Sequence, residues 1–357
     1  MTIGINGNEA NVKTRVGVGQ YAFELLREFS KFQTPNTKFQ IYLESLPLSG
    51  MPELSYEVFG PGKLWTLTGL QKKILQNPPD VLFTPTHYTP LYVPCPSVIS
   101  IMDLAFEKFP QYFKPGDLYQ LKYWTRYSAR QAKKILTISN SSKKDICELY
   151  RIPEEKVVVT YPGYDADRFN ERTKVSRSLI FGTQKYLLFV GTLQPRKNLL
   201  RLIEAFALLK DKDIMLLIAG MIREGRGGWM NQGIFEKVEQ LGLGNRVKFT
   251  GYVSNEEIPG LMKGAKAFVL PSLYEGFGIP AIEAMAVGTP VIVSRVSSLP
   301  EICGDAAFYI DDPYNVDSIR IALETVDKSK TKLGLELVKR YNWKTTAEQT
   351  LEVLKNV

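Results

Sequence analysis

The sequence predicts an α/β protein of two domains, each built on a parallel sheet. Three observations support this prediction. The chain has 357 residues, more than one hydrophobic core usually serves. Short apolar runs alternate with amphipathic segments, which is the pattern of parallel strands joined by helices. A polar, aperiodic stretch from Asp165 to Lys185 separates two such series, and we expect it to link the domains.

The first series is expected to open with a strand at Ile3–Ile5, followed by a loop and a helix. In that helix four large apolar side chains recur at helical spacing and are predicted to face the core. They are Tyr21, Leu25, Leu26 and Phe29. The further strands predicted from apolar runs are Phe39–Leu43, Val81–Phe83, Val98–Ile101, Ile135–Ile138 and Val157–Thr160.

The second series is expected to alternate strands and helices in the same way. Its predicted strands are Tyr186–Val190, Ile214–Ala219, Val247–Thr250, Ala267–Leu270, Val291–Ser294 and Ala307–Ile310. Its predicted helices are Leu199–Lys210, Ile234–Leu241, Asn255–Lys263 and Val316–Asp327. A glycine-rich loop is expected at 221–233, and the tail is expected to form a final helix.

The composition is that of a globular protein with an excess of positive charge. The formal net charge of +8 favours anionic partners: nucleotide phosphates, a membrane surface or nucleic acid. The three cysteines show no paired spacing, which argues against a disulfide framework and a zinc site. We see no signal peptide and no apolar run long enough to span a bilayer. We therefore expect a cytoplasmic protein, with contact to the inner face of the membrane left open.

The most informative stretch is Pro271–Pro290, which has the sequence PSLYEGFGIPAIEAMAVGTP. Pro280 suits the start of a helix and Gly288 suits its end, so the pattern is strand, glycine-bearing loop and helix. Glu275 lies in the loop and Glu283 in the predicted helix. Backbone N–H groups at a helix N-terminus bind anions, and carboxylates accept hydrogen bonds from hydroxyls. A nucleotide sugar carries both kinds of group.

A second motif, GTLQPRKN at Gly191–Asn198, follows the first predicted strand of the second series. Adjacent Arg196 and Lys197 just before a helix suit a diphosphate group. The alternative is a surface pair with no ligand, but the position at a strand end favours phosphate. The acidic pair Asp311 and Asp312 is interpreted as a turn, so no metal site is expected.

Two places in the first series are further candidates. Gly17 and Gly19 precede the first helix, where they either permit a tight turn or let the backbone approach a ligand. Their G-x-G spacing is weak evidence for NAD. Asp103 follows a predicted strand at the edge where parallel sheets bind ligands, and the alternative is an ordinary cap. The only histidine, His87, is expected to be a packed or exposed residue.

A basic and aromatic segment follows. Six Lys and Arg residues lie between Lys114 and Lys134 against one acid, Asp117. The aromatic residues at helical spacing among them are Tyr119, Tyr123, Trp124 and Tyr127. The segment could dock on an anionic membrane, whereas no motif supports nucleic-acid binding. A solvated helix with its aromatic face on the core is the favoured interpretation, and no nucleic-acid partner is expected.

These motifs together resemble the retaining glycosyltransferases of family 4. GTLQPRKN and the segment 251–307 resemble the donor-binding domain, in which Glu275 and Glu283 match the E-x7-E motif. RVGVGQYAFELL at 15–26 resembles the glycine loop of the acceptor domain. ISIMDLAFEKFPQYF and ILTISNSSKKDI resemble other stretches of bacterial members. The resemblance covers nearly the whole chain.

The resemblance implies a GT-B fold, with two Rossmann-like domains facing across a cleft. It implies an acceptor-binding domain at 1–167, a donor-binding domain at 168–338, and a last helix at 339–357 that crosses back to the first domain. The implied chemistry is metal-independent transfer of a sugar from a GDP- or UDP-linked donor to a glycan or lipid-linked acceptor. The anomeric configuration would be retained, and the pathway would be synthesis of a surface polysaccharide. No cofactor is implied.

The resemblance also assigns residues. Arg196 and Lys197 would hold the diphosphate, Glu283 the ribose, and Glu275 the transferred sugar; Asp103 completes the implied catalytic set. The other implied donor-binding residues are Gly276, Phe277, Gly278, Ile279, Gly191, Tyr252, Val253, Gly17, Gly19 and Ser139.

One position departs from the family. Many members carry a histidine immediately before the strand-end aspartate, and here that residue is Met102. We do not expect His87 to replace it. Two alternatives follow: a nucleotide-sugar-binding protein without turnover, and a nucleotide-sugar epimerase of the same fold.

Overall fold

The structure, a computed structural model, describes residues 1–32, 34–60, 62, 64–176, 185–220 and 233–357. Packing divides the chain into two units. Unit 1 comprises Met1–Leu104, Tyr119–Gly163 and Asn342–Val357, and unit 2 comprises Ala105–Leu118 and Tyr164–Tyr341. Most of the expected glycine-rich loop, residues 221–232, lies outside the described part of the chain.

Unit 1 is built on a sheet of seven described strands. They are β1 (Thr2–Asn6), β2 (Lys38–Leu43), β3 (Ser55–Val58), β4 (Val81–Thr84), β5 (Ser97–Ser100), β6 (Lys134–Thr137) and β7 (Val157–Val159). All neighbours pair in parallel, in the order β3-β2-β1-β4-β5-β6-β7. Strands β2 and β3 are added on one side of β1, and β4 to β7 on the other side, so the strand order reverses between β1 and β4. Ligands of parallel sheets bind at such a point, and we expect them at the carboxyl ends of β1 and β4.

Unit 2 is built on a sheet of six described strands. They are β8 (Tyr186–Val190), β9 (Met215–Ala219), β10 (Val247–Gly251), β11 (Ala267–Leu270), β12 (Val291–Ser294) and β13 (Phe308–Ile310). The pairs are parallel, in the order β10-β9-β8-β11-β12-β13. The strand order reverses between β8 and β11. The two parallel sheets predicted from the sequence are confirmed.

Helices connect the strands. In chain order the described α-helices are α1 (Val18–Phe29), α2 (Gln71–Gln76), α3 (Ala105–Lys108), α4 (Pro115–Gln131), α5 (Asn140–Tyr150), α6 (Leu199–Ala207), α7 (Ile234–Gln240), α8 (Ile258–Gly264), α9 (Ile279–Ala286), α10 (Leu299–Cys303), α11 (Val316–Thr325), α12 (Thr331–Leu337) and α13 (Trp343–Lys355). The four apolar side chains of α1 that were predicted to face the core are all buried. Residues at i, i+4, i+5 and i+8 share one helix face, which explains this result.

The last helix, α13, packs within unit 1. The ring of Trp343 meets the ring of Tyr21 edge-on, with centroids 6.0 Å apart. Thr346 donates its Oγ1 to the carbonyl of Tyr161 at 2.6 Å. Both Trp343 and Thr346 are buried. The expected return of the last helix to the first part of the chain is therefore observed.

The packing units differ from the expected domains in three places, one of which is residues 339–341, expected in the last helix but part of unit 2. Residues 105–118 belong to unit 2, although the sequence placed them in the domain 1–167. Residues 164–176, expected to begin the linker, also belong to unit 2: Phe169 is buried and the N–H of Ser176 donates to Gly260 at 3.1 Å. Of the remaining linker residues, 177–184 lie outside the described part of the chain, and Lys185 directly precedes β8. The domain bounds at 167 and 338 stay a prediction.

The contact between α13 and the rest of unit 1 can be tested at Gly163. A Cβ added there would lie 2.3 Å from the N of Trp343 and 2.6 Å from the C of Asn342. Because both atoms are backbone, we expect Gly163→Ala to lower the free energy of unfolding by about 1–3 kcal/mol, the usual cost of overpacking. Urea denaturation measures it.

The matched control is Gly116→Ala in the first turn of α4, where an added Cβ meets nothing within 4 Å. That variant should be as stable as the parent or slightly more so, because alanine favours helix over glycine. Equal stability of the two variants would contradict the packing described for α13.

Candidate active site

A buried cluster of charges lies in unit 2 at the carboxyl ends of β8 and β11, where the order in which strands are added to the sheet reverses. Lys197 donates its Nζ to Oε1 of Glu275 at 2.5 Å, and Arg196 donates its Nη1 to Oε2 at 3.3 Å. Ser272 donates its Oγ to the same Oε1 at 2.6 Å. Glu275 is 6% exposed and Lys197 is 9% exposed. The structure thus brings together residues of two motifs that the sequence singled out separately.

The strand order explains this meeting. Arg196 and Lys197 follow β8, Glu275 follows β11, and β8 and β11 are parallel neighbours whose carboxyl ends share one edge. Asn198 adopts the left-handed conformation (φ 62°) between the turn and α6. Its Nδ2 donates to the carbonyls of Pro271 at 3.1 Å and Pro313 at 2.6 Å. This buried amide therefore ties three loops of the edge together.

A third strand end supports the cluster. Ser297, after β12, accepts the N–H of Glu275 at 2.9 Å, and Ser298 donates its Oγ to the carbonyl of Glu275 at 2.9 Å. The sequence analysis did not single out these two serines or Ser272. A search of every predicted strand end for hydrogen-bonding side chains would have found them, since they follow strands that were predicted correctly.

The environment of Glu275 keeps its carboxyl ionised. Burial alone would raise the pKa, but the charges of Lys197 and Arg196 and the hydrogen bond from Ser272 outweigh it and lower the pKa to about 2. A carboxylate of this kind is a poor general acid or base near pH 7. Its oxygens can accept hydrogen bonds, and a carboxylate offers about four acceptor positions.

The loop that carries Glu275 is buried throughout, from Pro271 to Gly278. Gly278 has a positive φ of 97°, and a Cβ there would lie 2.8 Å from Leu299, so both backbone and space favour glycine. Helix α9 begins at Ile279 with Pro280 in its first turn. The four predicted donor-binding residues at this loop-to-helix junction are Gly276, Phe277, Gly278 and Ile279.

Glu283, one turn into α9, has the opposite environment. Burial raises the pKa of its carboxyl to about 7, with the charge of Arg168 opposing the shift and the charge of Asp165 adding to it. The side chain of Arg168 lies 3.7 Å from Asp165 in an ion pair. Near neutral pH Glu283 is therefore divided between an ionised and a protonated form. Neither Arg168 nor Asp165 was singled out from the sequence.

The same edge of unit 2 holds three more predicted donor residues, Gly191, Tyr252 and Val253. Gly191 follows β8, and a Cβ added at Gly220 would lie 1.8 Å from the carbonyl oxygen of Gly191, so the two backbones touch. Tyr252 and Val253 follow β10; Tyr252 is 55% exposed, whereas Val253 is buried. All three residues lie at carboxyl ends of strands, as expected for ligand-binding positions.

In unit 1, Gly17 precedes α1 as expected, whereas Gly19 is the second residue of that helix, and the two glycines have different surroundings. A Cβ at Gly19 would lie 2.8 Å from the carbonyl oxygen of Glu9, so this glycine is required by packing. Gly17 has a φ of 52°, and a Cβ there would meet nothing within 4 Å. The close contact with Glu9 explains Gly19. The positive φ at the entry to α1 explains Gly17, where the backbone is also open to a ligand.

Asp103 and His87 follow β5 and β4, two adjacent strands of unit 1. They are close enough to interact electrostatically: burial lowers the pKa of His87 to about 4, and the charge of Asp103 opposes the shift. His87 is therefore neutral at pH 7. Met102 is buried, with 8% exposed. Asp103 thus has a histidine near it from the neighbouring strand, which the sequence analysis did not anticipate.

Ser139 is fully buried at the start of α5. Its Oγ accepts the N–H of Ser142 at 3.0 Å and caps the helix. The capping role accounts for the residue in this structure, and its predicted contact with a donor stays a prediction.

Two negative findings apply to the described residues alone. Among them, no group of three or more His, Cys, Asp or Glu side chains is placed to hold a metal ion. No helix in the described ranges has the length and apolar character needed to cross a membrane.

Comparison with known proteins decides the family. Residues 170–355 match the family of glycosyl transferases group 1, and residues 17–168 match glycosyltransferase family 4. The chain belongs to the family 4 glycosyltransferases. A similar relative is the O-antigen chain mannosyltransferase B of Escherichia coli, 33% identical over 269 residues, which are 72% of this chain and 70% of the relative.

Solved structures agree on the fold of this glycosyltransferase. Sucrose-phosphate synthase from Thermosynechococcus elongatus superposes with a TM-score of 0.79 at 17% identity, over 99% of this chain and 98% of that one. Anabaena Alr3699/HepE, in complex with UDP and glucose, superposes with a TM-score of 0.76 at 20% identity, over the whole of both chains. At these identities the likeness shows the GT-B fold and nothing finer.

The environment of Glu283 leads to a prediction that is independent of any ligand. Carboxyl ¹³C NMR of labelled glutamate should show one titration with a midpoint near pH 7, absent in Glu283→Gln. Because the native pKa is raised, the protonated form stabilises the fold, and that contribution is lost as the pH rises through about 7.

Two variants test which charges contribute to the raised pKa of Glu283. Arg168→Gln should raise the midpoint, because it removes a cation that favours the ionised form, whereas Asp165→Asn should lower it. A midpoint near 4.5 in the parent protein would show that the carboxyl is not desolvated as described.

Proposed function

We propose that this glycosyltransferase moves a hexose from a nucleoside diphosphate sugar to a glycan or lipid-linked acceptor in the synthesis of a surface polysaccharide. The transfer retains the anomeric configuration and needs no metal. The observation that carries the proposal is the cluster of Arg196, Lys197 and Glu275 at the carboxyl ends of β8 and β11, where the strand order of unit 2 reverses. It joins two cations with an ionised carboxylate at the edge where parallel sheets bind ligands.

The two cations suit the leaving group. In the reaction the bond between the anomeric carbon and the phosphate oxygen breaks, and a bond to the acceptor oxygen forms on the same face. The acceptor proton passes to the departing diphosphate, so no protein nucleophile is required. Arg196 and Lys197 stabilise the negative charge that grows on that diphosphate. Their positions are fixed beforehand, since Arg196 also donates to the carbonyl of Tyr274 at 2.8 Å.

Glu275 serves as a hydroxyl acceptor and as the residue that positions the cations. Its Oε1 accepts from Lys197 and Ser272, and its Oε2 accepts from Arg196. Because a carboxylate has about four acceptor positions, one more hydrogen bond, from a sugar hydroxyl, can be accommodated. Its low pKa excludes the role of a proton donor near neutral pH.

The remaining assignments follow the same logic. Glu283 accepts hydrogen bonds from the ribose in its ionised form, Gly191 and the backbone at Tyr252–Val253 approach the nucleotide, and Gly17 leaves room beside α1. Asp103 completes the catalytic set, and Met102 occupies the position at which many family members carry a histidine.

Mannose is the first sugar to test, because the similar E. coli protein is named as a mannosyltransferase. GDP and UDP are both candidate carriers. The decisive experiment incubates the full chain with GDP-, UDP- and ADP-linked sugars, with and without EDTA, and with a lipid extract as acceptor. Transfer that persists in EDTA supports the proposal. An epimerised donor indicates the epimerase, and binding without product indicates a binding protein.

The phosphate role predicts the behaviour of Arg196→Ala. Loss of charged hydrogen bonds to a diphosphate should weaken binding of bare GDP or UDP by roughly 10- to 100-fold. Isothermal calorimetry measures the affinity. The control is Arg320→Ala, which removes an arginine paired with Asp317 and Glu324 on the surface of α11. Unchanged affinity in Arg196→Ala would rule out the phosphate role.

The hydroxyl role predicts a different signature for Glu275→Gln. Transfer should fall by on the order of 100-fold or more, because the ionised carboxylate no longer stabilises the charge that develops at the sugar. Binding of the bare nucleoside diphosphate should fall far less than transfer, since Arg196 and Lys197 remain and the amide oxygen of glutamine can still accept a hydrogen bond from one of them. The surface variant Glu324→Gln should behave like the parent. Parent-like turnover in Glu275→Gln would sink the assignment, and loss of nucleotide binding as well would indicate structural damage instead.

A further inference from the structure

Helix α4 carries an exposed stripe that the candidate active site does not use. Tyr119 and Tyr123 are 66% and 61% exposed, and Arg126 and Arg130 are also exposed. Their spacing of three and four residues places all four on one helix face. The stripe is about 16 Å long at the usual helical rise. The favoured expectation of an aromatic face packed on the core is therefore wrong for these two tyrosines.

The other two aromatic residues of α4 face inward and hold a loop beside the stripe. Trp124 donates its Nε1 to the carbonyl of Thr89 at 2.9 Å, and Tyr127 donates its hydroxyl to the carbonyl of Leu91 at 2.5 Å. This loop exposes two more large side chains, Leu91 at 53% and Tyr92 at 61%. The result is an exposed apolar patch on adjoining elements, of the kind that marks an interaction surface.

A basic pocket lies at the C-terminal end of the stripe. It has a volume of about 370 Å³, and Arg130, the last residue of the stripe, is one of its lining residues. Its other charged lining residues are Lys133, Lys134, Lys156 and Glu155. Four cations thus meet one acid.

Two of these cations are held in place by backbone. Lys134 donates its Nζ to the carbonyl of Glu155, and Lys156 donates its Nζ to the carbonyl of Arg130, each at 2.7 Å. Burial lowers the pKa of Lys156, and the charge of Lys133 lowers it further. The cations therefore repel one another across a small space, and an anion placed there would relieve the repulsion.

We propose that this surface of unit 1 docks on an anionic lipid bilayer, with a lipid phosphate in the pocket of Arg130, Lys133, Lys134 and Lys156 and with Tyr119, Tyr123, Leu91 and Tyr92 in the interfacial layer. Tyrosine rings favour the boundary between headgroups and acyl chains, and basic residues are drawn to anionic headgroups. The proposal is independent of the transferase chemistry.

The arrangement favours lipid over nucleic acid. The rings of Tyr119 and Tyr123 lie against each other, with centroids 4.3 Å apart, so they cover faces on which bases would stack. Leu91 is aliphatic and can enter a lipid layer, but its side chain can neither stack on a nucleic-acid base nor form a hydrogen bond with it. The aromatic and basic side chains are also separated along the helix, as the layers of a bilayer surface are, instead of alternating along a groove.

The test uses the full chain and vesicles of 30% phosphatidylglycerol in phosphatidylcholine, with pure phosphatidylcholine vesicles as comparison. Flotation in 0.1 M salt should recover the protein with the anionic vesicles only, and 0.5 M salt should release it because the charges are screened. Arg130→Ser/Lys133→Ser should weaken partitioning about 30-fold, at roughly tenfold or less per charge near the surface. Tyr119→Ser/Tyr123→Ser should also weaken it.

Matched controls distinguish binding by the proposed surface from a general effect of net charge or of exposed apolar side chains. Lys344→Ser/Lys355→Ser removes the same charge from exposed positions on α13, and Leu46→Ser removes an apolar side chain that is 76% exposed. Both controls should float like the parent. The proposal is overturned if no protein floats, if neutral vesicles bind equally, or if Lys344→Ser/Lys355→Ser loses as much as the patch variant. Binding of a 20-nucleotide single strand that depends on Arg130 and Lys133, without flotation, would assign the surface to nucleic acid.

Discussion

The buried ion pair between Lys197 and Glu275 constrains the whole carboxyl edge of unit 2. Removing one partner of such a pair usually costs about 3–5 kcal/mol, because the other charge is left in a poor solvent. The loops that carry the two residues come from different strands, so the pair can form only if β8 and β11 are neighbours. Asn198 and the serines around Glu275 then fix the backbone of those loops. The cluster is consequently arranged before a ligand arrives.

The two glutamates of the E-x7-E motif illustrate how environment divides identical groups. Glu275 sits between cations, with a pKa of about 2, whereas Glu283 is desolvated, with a pKa of about 7. A pair of carboxyls pushed apart in this way is a common mark of a functional site. Glu275 is therefore ionised throughout the neutral pH range, whereas Glu283 changes its charge near pH 7.

The sequence was sufficient where burial is complete. The strands Tyr186–Val190, Ala267–Leu270 and Val291–Ser294 have the predicted bounds, because strands buried on both faces read as unbroken apolar runs. The sequence did not predict β3, because this half-exposed strand at the edge of its sheet has only a weak apolar pattern. The two motifs that supply Arg196, Lys197 and Glu275 could be found, but the effects of Arg168 and Asp165 on Glu283 could not, since they depend on tertiary packing. Likewise, helical spacing in α4 could not say which tyrosines face inward.

The return of α13 to unit 1 has a consequence for the way this protein can be divided. The connections at 104–105, 118–119, 163–164 and 341–342 all pass from one unit to the other, so no cut at a single peptide bond separates the units. A fragment that ends at Gly163 would expose Tyr21 and the backbone that Thr346 and Trp343 cover. Any chimera that exchanges unit 1 for that of a relative must therefore carry the C-terminal helix together with both N-terminal segments, as one module in three pieces of sequence.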